Sequence, residues 1–128
     1  EVNVNAVKIM LDTFHMNIEQ DSMVEAILLA GKKLGHFHVG ENNRRLPGKG
    51  GFPWYEIGMA LRAVGYEKNV VMEPFVRSGG GVGSDIKIWR DLSRGASIEQ
   101  LDEDAADSVK YLRYVFGGPN SDGRSVLR

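Results

Sequence analysis

Three short apolar runs, each stopped by a metal-ligating type of side chain, constrain this chain more than any other feature. In "VKIMLDTFHMN" an apolar run, Val7 to Leu11, ends in Asp12. In "LGHFHVGENNRR" a short apolar run ends in His38, and in "NVVMEPFVR" one ends in Glu73. Each run has the length and β-rich content of a strand, and polar loop residues follow it. Helical patterns lie between them. Ser22-Met-Val-Glu25 is a capping box, and Met23, Ala26, Ile27 and Ala30 repeat at helical spacing. Pro53 suits a first helical turn; Trp54, Ile57, Leu61 and Val64 form an apolar face that Gly65 closes.

The predicted strands are Val7–Leu11, Gly35–Val39 and Asn69–Met72. A short helix is expected near Asp85–Leu92. A last helix, opened by the capping signal Ser97-Ile-Glu-Gln100, is expected to reach about Phe116 on Leu101, Val109, Leu112 and Val115. The order β-α-β-α-β-α-α, with strands about thirty residues apart, argues for parallel βα units. The expected division is one body over residues 1–118, with 119–128 as a flexible tail because the tail has no periodicity.

Composition narrows the function classes. The 128 residues are 42% hydrophobic, and no run approaches the roughly 18–20 residues of a spanning helix, so no membrane role is expected. The N-terminal "EVNVNAVK" lacks the pattern of a signal peptide. There is no cysteine, which removes disulfides and thiolate metal sites and accords with a cytoplasmic enzyme. The net charge of −1 gives no pull towards nucleic acid. Arg44, Arg45 and Lys49 cluster locally, as a solvated loop would.

In a parallel sheet the C-terminal strand ends share one edge, where α/β folds place their ligands. Side chains alternate along a strand. Met10 with Asp12, His36 with His38, and Val71 with Glu73 therefore share faces, and inward-pointing faces bring the three polar groups together. Two carboxylates and an imidazole suit Mn²⁺, Co²⁺, Mg²⁺ or Zn²⁺. Without a cation, two such carboxylates repel. The competing reading is that each residue merely begins a polar loop.

His15 and Arg44 lie just beyond two strand ends and offer hydrogen bonds to a polar substrate; surface or packing roles compete. His36, one layer below His38, reads as a core or supporting histidine, and Glu41 as a loop carboxylate. Phe14 and Phe75 flank the edge as an apolar wall. Trp54 and Trp89 read as core or interface residues at helical positions. "GGGVG" lacks the Lys-Ser/Thr of a P-loop and reads as a flexible βα-loop.

"VKIMLDTFHMNIEQD", "GHFHVGENNRRLPGKGGFPW" and "VVMEPFVRSGGGVGSDIKIWRDLS" closely resemble the ketose 3-epimerases of the xylose isomerase-like barrel superfamily. The likeness covers roughly residues 7–93, and the last helix fits the family's C-terminal helix. It implies an α/β fold made of the last three strands of a TIM-barrel-like architecture, an incomplete barrel, since a whole one needs eight strands and about 250 residues. It implies that Asp12, His38 and Glu73 bind a divalent metal, Mn²⁺ first, with Co²⁺ or Mg²⁺ as alternatives. It implies that Glu73 is also one of two catalytic glutamates, and that His15, Arg44 and Phe75 meet a free ketohexose.

The family's fourth ligand, also its second catalytic glutamate, lies on the preceding strand. No residue here matches it, and Glu1 cannot be assigned that role. The chain is therefore expected to be the C-terminal part of a metal-dependent C3 epimerase acting through an enediolate. Its partners would be a ketose and either further copies of itself or the missing N-terminal part of the barrel. An inactive metal-binding or oligomerising fragment is the first alternative. Another sugar isomerase of the superfamily, such as a hydroxypyruvate isomerase, is the second. An endonuclease-IV-like phosphodiesterase would want a broad basic face, which this chain lacks.

Overall fold

The computed structural model describes residues 4–117 of the 128, so the expected tail, 119–128, lies outside the described residues. Three parallel strands, β1 (Ile9–Asp12), β2 (Leu34–Val39) and β3 (Val70–Met72), pair in the order β1-β2-β3. Met10 pairs with His36 and Asp12 with His38 across the first ladder; His38 pairs with Val71 across the second. The sheet does not close. It is the parallel βα arrangement expected from sequence, a part of a barrel wall.

Among the described residues, five α-helices accompany the strands: α1 (Thr13–Glu19), α2 (Met23–Ala30), α3 (Trp54–Ala63), α4 (Gly80–Asp85) and α5 (Ile98–Gly117). Ser22 caps α2, its Oγ accepting from Glu25 N at 3.2 Å. The capping box of α5 is reciprocal: Ser97 N donates to Gln100 Oε1 at 2.9 Å and Gln100 N to Ser97 Oγ at 3.3 Å. Pro53 precedes α3 and Gly65, at φ 66°, ends it.

Two expectations need correction. The first strand begins at Ile9, and Asp12 is both its last residue and the N-cap of α1, a helix absent from the sequence reading. The expected helix at Asp85–Leu92 instead occupies Gly80–Asp85, inside the glycine-rich segment read as a loop. Lys87, at φ 60°, breaks it, and residues 86–92 turn back with Leu92 N bonded to Val76 O at 2.7 Å. Trp89 thus lies in a turn and is 83% exposed, so it is not a core residue.

The helices cover one face of the sheet only. Phe37 and Val39 on that face are fully buried and pack with Ile27, Trp54, Ile57, Leu61, Leu112 and Phe116. Gly58 lets α3 approach α5, since a Cβ there would lie 2.6 Å from Val115 O. On the other face Met10 and Val71 are 56% and 39% exposed.

Tyr66 joins the core beside Phe37, and its hydroxyl donates to Asn69 O at 2.6 Å. Burial pushes its phenol above the ordinary value of 10.0. The unfolded phenol therefore ionises first as pH rises. The associated stability is whole below about pH 10 and is lost as pH climbs through the folded value. Tyr111, raised by burial and then by the charges of Glu41 and Glu56, adds to the same slope. Urea melts from pH 8 to 11 should show this decline, and Tyr66→Phe should flatten part of it; an unchanged slope would contradict the assignment.

Candidate metal and active site

Asp12, His38 and Glu73 do converge. One ligand atom from each lies within 4.8 Å of the others. His38 Nδ1 is 3.6 Å from Asp12 Oδ2 and 3.5 Å from Glu73 Oε2. Ligand atoms about 2.1 Å from a shared ion stand roughly 3.0–3.4 Å apart. The spacing, the hard-to-borderline donors and the −2 charge of two carboxylates with a neutral imidazole fit a divalent cation.

Local structure aims each donor. Asp12 is buried, and its Oδ1 is occupied at the start of α1, accepting from Phe14 N at 2.8 Å and His15 N at 3.4 Å. Its Oδ2 is left for the cluster. The next residue, Thr13, is fully buried and ties the first two strand ends together: its Oγ1 donates to Gly40 O at 2.7 Å and accepts from Gly40 N at 2.9 Å. Glu73 follows β3 directly, and its N–H donates to Val39 O at 3.1 Å. His38 Nε2 meets His36 Nε2 at 3.0 Å. For Nδ1 of His38 to offer a lone pair to a metal, Nε2 must carry the hydrogen and donate it to His36. In that tautomer His36 would support His38, one of the two roles, core or supporting, expected for it.

Arg44 stands at the edge of this cluster. Its guanidinium carbon lies 3.3 Å from the Phe14 ring centroid and 5.5 Å from that of Phe75, a cation–π arrangement. Its carbonyl accepts from Phe75 N at 2.8 Å. Burial lowers the Arg44 pKa, opposed by the charges of Asp12 and Glu73. Phe14, Arg44 and Phe75 line a cavity of about 290 Å³ whose far wall is formed by Ile86, Trp89 and Leu92. The three candidate ligands are not part of that lining; they open towards the uncovered sheet face. His15 lies in the first turn of α1 with its ring edge-on to Phe14 at 5.6 Å. It is exposed, and among the described residues no hydrogen bond or ion pair joins its imidazole to the cluster.

Sequence reasoning missed two residues. One is Thr13, which carried no motif. The other is Glu41, read as an ordinary loop carboxylate and found fully buried. Its signal was the nearby Trp54, whose indole N–H needs a partner once buried.

The matching family model is the xylose isomerase-like TIM barrel, over residues 1–114. The chain belongs to this family. As a xylose isomerase-like barrel chain it is 61% identical over 118 residues to the D-psicose 3-epimerase of Agrobacterium fabrum, covering 92% of this chain and 41% of that protein. It also resembles a crystal structure of D-psicose 3-epimerase in the presence of D-fructose. The TM-score is 0.87 at 62% identity, over 89% of this chain and 39% of that one. A D-psicose 3-epimerase with D-tagatose from Clostridium cellulolyticum H10 superposes with a TM-score of 0.85 at 59% identity, over 88% and 39% of the two chains. The chain therefore spans about two fifths of the length of these relatives. Among the described residues, no helix is long and apolar enough to cross a membrane.

Proposed function

We propose that this chain supplies three metal ligands and one acid–base carboxylate of an enzyme that epimerises C3 of free ketohexoses through an enediolate. The convergence of Asp12, His38 and Glu73 at one sheet edge supports this most directly. The 61% identity to a D-psicose 3-epimerase supports the substrate class. A divalent ion held by Asp12, His38 and Glu73, for which Mn²⁺ is the first choice and Co²⁺ or Mg²⁺ the alternatives, would polarise the ketose carbonyl when bound.

Epimerisation at C3 removes a proton beside a carbonyl and returns one on the opposite face. In this reading Glu73 serves one face as acid or base. Arg44 and His15 would meet substrate oxygens, and Phe14 and Phe75 the carbon faces. The second acid–base group expected from the resemblance belongs to a segment of barrel beyond this chain. The cytoplasmic location read from the sequence is part of the same proposal.

Metal binding is the first test. Mn²⁺ at 100 times its Kd should stabilise the folded chain by about 2.7 kcal/mol, and EDTA should reverse the gain. No stabilisation of a folded chain would remove the metal site. Turnover of D-fructose and D-psicose by the Mn²⁺-loaded chain then separates two readings. Interconversion supports the epimerase. A loaded chain that turns nothing over supports the inactive metal-binding alternative, which the open sheet favours.

That open sheet also supports a proposal about assembly. Its β1 edge and inner face expose apolar side chains such as Ile9 and Met10; such surfaces invite pairing. Sedimentation should show a dimer or larger species, and a well-folded monomer would contradict this.

A further inference from the structure

We infer that Glu41 is a positioning residue: its buried carboxylate holds the loop of residues 40–52 so that Arg44 stands over Phe14 and Phe75 beside the Asp12–His38–Glu73 cluster. What Arg44 binds rests on the ketohexose reading; how Arg44 is held does not.

Glu41 is 0% exposed and lies two residues beyond the end of β2. It takes no part in the metal cluster. Its Oε1 accepts from Trp54 Nε1 at 2.6 Å and from Gly48 N at 2.7 Å, and its Oε2 accepts from Phe52 N at 3.3 Å. Its backbone closes the near end of the loop: Glu41 N donates to Arg45 O at 3.0 Å, and Glu41 O accepts from Arg44 N at 3.0 Å. One residue thus ties together the chain from Arg44 to Trp54. A buried carboxylate is unfavourable unless it is hydrogen-bonded, and here three N–H donors reach it.

The conformation of Arg44 shows what the anchoring secures. Arg44 has φ 66°, in the left-handed region that disfavours side chains. Such backbone persists where surrounding bonds over-determine it. On the inner side those bonds come from Glu41, and on the far side from Phe75 N to Arg44 O. Helix α5 holds the outside of the loop, with Ser108 Oγ donating to Pro47 O at 3.0 Å and Lys49 Nζ 3.4 Å from Asp104 Oδ1. Arg44, which feels the charges of Asp12 and Glu73, thus sits in a loop anchored by a carboxylate outside the cluster.

The test compares the 128-residue chain with its Glu41→Gln variant. Glutamine keeps the size and one acceptor oxygen, but its NH₂ confronts a backbone N–H, donor against donor. Amide exchange at Arg44 and Phe75 should rise at least about tenfold in Glu41→Gln while exchange in β2 is unchanged. The Trp54 indole N–H resonance should move upfield as its bond weakens. Mn²⁺ affinity should stay within about twofold, and D-fructose affinity of the Mn²⁺-loaded chain should fall at least about tenfold.

Unchanged exchange at Arg44 and Phe75 would overturn the inference, as would an equal rise throughout the sheet, which marks a merely structural role. Gly50→Ala is the second variant. Its Cβ would collide with Glu41 Oε2, from a backbone that is not left-handed, and the same local pattern is expected even if Glu41→Gln does not fold. If the unaltered chain binds no D-fructose, the ketohexose reading fails, and the exchange rates still decide whether Glu41 positions Arg44.

Discussion

Glu73→Gln is expected to weaken Mn²⁺ binding by at least about 100-fold and to leave the metal-free fold intact. The reason is where Glu73 stands. Its side chain is 45% exposed, and its polar contact is with His38 Nδ1 at 3.5 Å. The backbone bond from Glu73 N to Val39 O does not depend on the side chain. Glutamine matches the shape and removes one of the two negative charges that balance a divalent ion. A carboxylate that only began a loop would show no such effect. Calorimetric titration with Mn²⁺ gives the affinity, and a urea melt without metal gives the fold. Equal Mn²⁺ affinity in the two proteins would remove Glu73 from the ligand set. Where turnover is measurable, it should fall by about 10²–10⁴-fold, the usual worth of an acid–base group.

Phe37→Ala should cost about 3–5 kcal/mol, a large part of the roughly 5–15 kcal/mol that holds a domain together. Phe37 is fully buried in the middle strand, with its ring centroid 6.3 Å from that of Tyr66. Its strand pairs with a neighbour on both sides, so the sheet cannot collapse easily into the space left behind. Met10, on the opposite face and 56% exposed, is the control. Met10→Ala should stay within about 0.5 kcal/mol. A cost at Met10 near that at Phe37 would show the open face to be covered in solution, by another copy of the chain.

Much of this was legible in the sequence because it depends on local chemistry. Ser22 and Ser97 announced their helices through side chains that cap within three residues. The apolar runs announced the strands, and side-chain alternation put Asp12, His38 and Glu73 on one face. What escaped notice depends on contacts far along the chain or on backbone geometry. Glu41 meets Gly48, Phe52 and Trp54, and no periodic pattern links these positions. Helix α4 carries Gly80, Gly81 and Gly83, which propensity disfavours; the return of Leu92 to Val76 holds the segment instead. Helix α1 was hidden because Asp12, read as the end of a strand, is also the beginning of a helix.

That double role leaves no slack at the junction. Most strand-to-helix connections contain a few residues that tolerate length changes between related proteins. Here β1 passes into α1 with no intervening residue. Inserting or deleting one residue at this point would turn Asp12 away from its neighbours, rotate His15 about the helix axis and pull Thr13 off Gly40. Variation in length among descendants of this sequence should therefore gather elsewhere, as in the exposed turn around Arg94 and Gly95. The passage from Leu11 to Phe14 should keep its length.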